Sequence, residues 1–148
     1  MNALSAFEQA ALQMEVAKLR KQVAEQQEMT AHQKGEVYAG IILGKDGEPD
    51  YHLFAQTKFI DSATFEEVKA YVEKAGGEGA TLRDLALLRV NAPEPFGIQK
   101  DFWSCEQHAA LSGFAWYQHF DNGKQYYYYK HTKLCGVAIR RLAIYQRR

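Results

Sequence analysis

Leu12, Val16, Leu19, Val23, Gln26 and Thr30 recur at alternating steps of four and three. That spacing lines side chains along a single seam of an α-helix. Val16 and Val23 take the a positions of the implied heptad, and Leu12 and Leu19 the d positions, while Glu15 and Arg20 fall at g and the following e, where an interchain ion pair can form. The rest of 4–30 is mostly Ala, Gln, Glu and Lys, good helix formers, with no Gly or Pro. A lone helix of this length is marginal in water, so its seam has to be buried, either against another copy or against the chain's own domain. The pattern is read as self-association into a parallel dimer or trimer. Residues 1–34 are therefore assigned as a coiled-coil oligomerisation helix, and 35–148 as a separate domain, with 31–35 as a short linker ending in Gly35.

From Glu36 the period changes to two. The β-branched and aliphatic run at 37–43, the pair Asp46-Gly47 and the run at 51–54 predict an opening β-hairpin. Thr64 with Glu67 has the form of a capping box; Phe65, Val68 and Val72 follow as an apolar stripe, and Gly76-Gly77 stops the helix. Thr81 and Asp84 start a second helix that ends at 91–93 and directs Leu82, Leu85 and Leu88 to the core. The last block reads as strands at 102–106, 114–120, 125–131 and 137–142, with a turn at Asp121-Asn122-Gly123. Helices segregated from antiparallel strands give an α+β domain.

The tyrosine run constrains the geometry further. Successive side chains of a strand point to opposite faces, so Tyr126 and Tyr128 share one face and Tyr127 and Tyr129 the other. At most one pair can be core, so at least two phenols lie on a surface. Exposed tyrosine offers rigid contact area, little side-chain entropy to lose and a hydroxyl that donates or accepts. With Trp116, His108, His119 and His131 close in sequence, the block reads as a binding face.

Composition removes several function classes. Eighteen basic and 18 acidic side chains in 148 residues leave no net field, which disfavours generic binding to nucleic acid or to an anionic membrane. Stacking of single-stranded nucleic acid on the tyrosines, with Lys124, Lys130 and Lys133 on phosphates, lacks the expected basic excess. No run is long enough to span a bilayer, and the first residues lack the order of a secretory signal. Cys105 and Cys135 have no metal-type spacing and are expected to be free, buried thiols. His108, His119 and His131 form no compact ligand motif, and no phosphate-binding glycine loop occurs, so neither a metal nor a cofactor is expected and the chain is read as a non-enzyme.

The order of hairpin, capped helix ending in Gly-Gly, Leu-rich helix, Trp103-Ser-Cys-Glu-Gln-His108, Ala115-Trp-Tyr-Gln-His-Phe-Asp-Asn-Gly123 and Val137-Ala-Ile-Arg-Arg141 resembles a C-type-lectin-like domain. More narrowly it is similar to the bacterial and bacteriophage family found at the C-terminus of collagen-like adhesins. Phage tropism determinants and formylglycine-generating enzymes are more distant relatives of that fold. The cover runs over about 36–142. Gly79-Ala80-Thr81 stands where the family has Leu-Pro-Thr, and Val137 stands at the first Arg of its closing strand. The resemblance implies that Glu106, His108, Tyr117, His119 and the run from Tyr126 through Tyr127, Tyr128 and Tyr129 to His131 form a ligand-binding face, to which the aromatic pattern adds Trp116. It implies a phage or prophage protein that recognises a host-surface protein or glycan; the heptad seam, outside the resemblance, adds Leu12, Val16, Leu19 and Val23 as the residues that hold the oligomer. An intracellular phage protein that modulates a host protein is the alternative. The expected location is the virion or the host cytoplasm.

Overall fold

The computed structural model describes residues 3–30 and 35–145, and the side chains of 24–30 lie outside the described set. The chain divides into two compact units, Met1–Ala31 and His32–Arg148. The first contains one helix, α1 (Ala6–Thr30). It starts where Ser5 satisfies the amide of Glu8 (3.1 Å) and donates its hydroxyl to the Glu8 carboxylate (3.2 Å), a start signal beyond the seam itself. Leu12, Val16, Leu19 and Val23 are all exposed in the single chain, and so are Phe7 and Met14, which sit off the seam. The side chains of Gln26 and Thr30, the polar end of the seam, and the linker residues 31–34 lie outside the described set.

The second unit runs β1 (Glu36–Ile42), β2 (Asp50–Gln56), β3 (Ile60–Ala63), α2 (Phe65–Lys74), β4 (Glu78–Gly79), α3 (Leu82–Asn91), β5 (Asp101–Gln107), β6 (Phe114–His119), β7 (Gln125–Tyr129), β8 (Leu134–Gly136) and β9 (Ala138–Ile144). It is an α+β arrangement of two sheets. β1 and β2 form the opening hairpin about Asp46 and Gly47, both at positive φ (54° and 84°), the backbone that a tight two-residue turn requires. Both helices start with full capping boxes, Thr64 with Glu67 and Thr81 with Asp84.

The sheet order explains why the last strands matter to the first. β9 pairs antiparallel with β2 (Ala55 opposite Ile139), giving a sheet of order β1-β2-β9-β4. The other sheet has order β3-β8-β5-β6-β7, with β8 running parallel to β5 at Phe102 and Cys135. The short strands β3, β4 and β8 carry no alternation of their own; β4 is held by the longer β9 and β8 by β5, and β3 in turn pairs with β8.

Phe102 and Trp103 are adjacent, 0% and 1% exposed, and belong to different cores, so β5 is covered on both faces. One core gathers Leu53, Leu85, Leu88, Phe96, Phe102 and Phe120, with α3 contributing Leu85 and Leu88. The other seats Phe65, Val68 and Val72 of α2 on Trp103, Ala115 and Tyr117. Each fully buried ring or leucine contributes about 1.5–3 kcal/mol relative to exposure. A Cβ on Gly136 would lie 2.5 Å from both Val68 methyls, so glycine is what lets α2 approach β8. The Trp103 indole donates to the carbonyls of Ala63 and Thr132, both at 3.2 Å, and so leaves no unpaired donor in that core.

The two arginines of the closing strand have structural partners. Arg140 forms a fork with Glu36 (3.0 and 2.9 Å) and lies 4.1 Å over the Phe54 ring. Arg141 donates to the fully buried Asp84 (2.6 Å), which also accepts from the Tyr51 hydroxyl (2.6 Å) and from the Thr81 amide (2.9 Å). Of the two cysteines, both free, Cys135 is buried as expected and Cys105 is exposed, a correction that follows from its place on β5 beyond the last core residue, Ser104. No helix among the described residues is long and apolar enough to cross a membrane.

Candidate binding face

β6 and β7 are joined by the Asp121-Asn122-Gly123 turn, in which Gly123 takes φ +77°. Their register sets Phe114 opposite Tyr129, Ala115 opposite Tyr128, Trp116 opposite Tyr127 and Tyr117 opposite Tyr126. Alternation then deals the predicted residues onto two faces. Trp116 and Tyr127 meet edge to face at 5.2 Å, and Phe114 lies 4.4 Å from Tyr129 and 5.7 Å from Tyr127. On the opposite face Tyr117 lies beneath Tyr128 (6.4 Å), with α2 and Trp103 covering its other side (6.1 Å).

Neither tyrosine pair is core. Tyr126, Tyr128 and Tyr129 are 49%, 47% and 50% exposed and Tyr127 is half-buried, because β7 is the outermost strand of its sheet. The two faces are joined around that edge. Tyr126 and Tyr127 stack at 4.7 Å with planes 11° apart, and Tyr128 meets Tyr129 edge-on at 5.8 Å.

The histidines are held by different devices. His108, in the loop after β5, lies parallel to Trp116 (5.6 Å, 10°) and edge-on to Tyr127 (4.6 Å). Its Nδ1 accepts from the amides of Ala110 (3.1 Å) and Leu111 (3.0 Å), which assigns its proton to Nε2 and fixes the ring against the indole. His119 sits on the Tyr117 face between the Asp101 carboxylate at Nδ1 and the Tyr117 hydroxyl at Nε2 (3.1 Å). Burial, and then the nearby Asp101 charge, raise the Tyr117 phenol above the ordinary range, so it stays protonated at neutral pH. His131 stacks on Tyr129 at 5.4 Å.

Glu106 is placed differently from the rest. Its carboxylate accepts from the Leu82 amide at 2.6 Å and so caps the start of α3. The structure therefore brings His108, Trp116, Tyr127, Tyr129 and His131 to one face, Tyr117, His119, Tyr126 and Tyr128 to the other, and Glu106 to a helix terminus. Phe114 and Asp101 join the site without having been singled out from the sequence. Counting outward from the Asp-Asn-Gly triplet would have set Phe114 opposite Lys130, one residue off; the loop also takes in Phe120, and His119 pairs with Lys124, which brings Phe114 opposite Tyr129. No comparable local signal marks Asp101, whose pairing with His119 comes from the β5–β6 register.

Chemically the face offers rings and hydroxyls. Among the described residues no group of three or more His, Cys, Asp or Glu side chains is placed to hold a metal ion. Although Cys105 is exposed overall, the cleft atoms around its thiol desolvate it and raise it, and burial together with the hydrogen bond to Asp61 pushes Cys135 up to about 12, so neither is a thiolate at neutral pH. A separate apolar cleft of about 210 Å³ lies between α2 and β5, lined by Phe65, Val68, Val72, Trp103 and Cys105. It shares no residue with the candidate face. In comparison with known proteins, no family model matches the chain and no curated protein matches it at a significant level.

Proposed function

We propose that residues 35–148 form a C-type-lectin-like binding domain of phage or prophage origin that recognises a host-surface protein or glycan without catalysing a reaction, α1 holding several copies together as a coiled coil. The observation that carries this reading is the edge strand β7: four consecutive tyrosines, none of them core, wrapped around one sheet edge and backed by Trp116, Phe114 and His108. Packing alone does not account for three phenols about half exposed on the outermost strand. Large rigid rings with hydroxyls at their tips suit recognition, because binding freezes few torsions. The exposed seam of α1 supports the oligomer, and linked copies raise avidity without new contacts.

The reading is tested by binding of labelled full-length chain to intact bacterial cells and to an arrayed glycan panel. Saturable binding to one of them, lost in Trp116→Ala while the melting temperature is kept, is the expected result. Saturable binding that Trp116→Ala leaves unchanged would remove the face from the mechanism.

A further inference from the structure

The backbone of β7 carries a second recognition element, and its phase follows from two hydrogen bonds. His119 N–H donates to the Lys124 carbonyl (2.8 Å), and Lys130 N–H donates to the Gly113 carbonyl (3.0 Å). In an antiparallel pair, every second residue exchanges bonds with its partner while the residues between point their backbone groups the other way. The bonded pairs are thus Tyr117 with Tyr126 and Ala115 with Tyr128. Gln125, Tyr127 and Tyr129 turn their backbone groups away from β6. β7 ends its sheet, so those groups face the open edge. The Tyr129 carbonyl closes a turn by accepting from Thr132 N–H (2.9 Å). The N–H and C=O of Gln125 and Tyr127 and the N–H of Tyr129 make a template for one more strand.

We infer that this edge captures an extended peptide segment of the partner by strand addition, the segment carrying acidic residues opposite Lys124 and Lys130. The inference rests on the aromatic face being the binding surface, and it names the partner as a polypeptide. Charge selects this occupant over a second copy of the chain. Lys124 and Lys130 bracket the strand on the face of Tyr126 and Tyr128; among the described residues neither has an ion-pair partner, and Lys130 is held only by neutral groups, donating to the Gln107 side-chain oxygen (2.7 Å) and lying 5.4 Å over the Phe65 ring. Two copies pairing edge to edge about Tyr127 would set each Lys124 against the other's Lys130, and like charges directly opposite are destabilising. A strand with Asp or Glu at those positions converts both contacts into attraction. Its side chains would then alternate between the Tyr126–Tyr128 row and the Trp116–Tyr127–Tyr129 row, so the main chain gives affinity and the rings give selectivity.

The test uses the full chain and a library of random linear peptides. Selected peptides are expected to carry acidic residues at the spacing of Lys124 and Lys130, and to slow hydrogen exchange at the Gln125, Tyr127 and Tyr129 amides. N-methylation of the peptide amides that face β7 should weaken binding by about tenfold or more, and methylation of the alternate amides should not. Lys124→Glu with Lys130→Glu should reverse the charge preference. Selected peptides whose binding ignores N-methylation, or a library that yields none, would overturn strand addition. If cells or glycans still bind and Trp116→Ala abolishes that binding, the face survives as a binding surface and only its peptide class falls.

Discussion

Asp84 shows at the scale of one residue how the domain holds its last strand to its second helix. The carboxylate is fully buried and is satisfied by Arg141, Tyr51 and the amide of Thr81. Asp84→Ala leaves the Tyr51 hydroxyl and the Thr81 amide without their acceptor and takes from Arg141 its buried carboxylate, leaving it Glu78 (3.4 Å) and the Gly79 carbonyl (2.8 Å); removing one partner of a buried pair costs about 3–5 kcal/mol. Urea denaturation should report a loss of that size; a loss below about 1 kcal/mol would mean that Arg141 finds other partners as good. Cys135 gives a prediction in pH. Burial, and then its hydrogen bond to Asp61, push its thiol from 9.0 up to about 12. The folded state therefore keeps a proton that the unfolded chain releases. The stability tied to Cys135 is fully present below about pH 9 and is lost as pH rises through about 12. The stability gap between the native chain and Cys135→Ala should accordingly narrow over that window. A gap independent of pH would contradict the assignment.

At the scale of elements, the parts legible in the sequence are those whose signals are local. Thr64 with Glu67 and Thr81 with Asp84 announced both helices of the domain, and Asp46-Gly47 and Asp-Asn-Gly announced two hairpin turns. Alternation also divided the tyrosines into their two faces. The position of β7 at a sheet edge was not legible, because strand order depends on pairings such as Phe102 with Cys135 that join distant parts of the chain. That long-range fact leaves both tyrosine pairs open to solvent, where the run alone allowed one pair to be core. Glu106 is a related case: the residue was picked out by resemblance, yet its carboxylate caps α3 through the Leu82 amide, a contact across 24 positions. Glu106→Ala should cost about 1 kcal/mol of stability, the usual worth of a helix cap. A melt indistinguishable from the native chain would remove Glu106 from the scaffold and return it to the ligand.

For the whole molecule, the proposal joins two surfaces with opposite demands. The α1 seam leaves Leu12, Val16, Leu19 and Val23 exposed in the single chain, an arrangement that association would bury. Full-length protein should sediment as a dimer or trimer, and a variant with glutamine at those four positions should sediment as a monomer with its domain still folded. Equal monomeric masses for both would end the coiled-coil reading. The β7 edge makes the reverse demand: it has to stay open in the assembled protein.

The most direct measurement compares two double variants, Tyr126→Ser with Tyr128→Ser and Tyr127→Ser with Tyr129→Ser, for melting temperature and for binding to the cell-surface or peptide target. These phenols belong to an edge strand and to neither core. Both doubles should remain folded, and at least one should lose about tenfold or more in affinity, the scale set by losing one or two aromatic anchors. Two doubles that unfold would show that the tyrosines are structural. Two that fold and bind as the native chain does would show that recognition lies elsewhere.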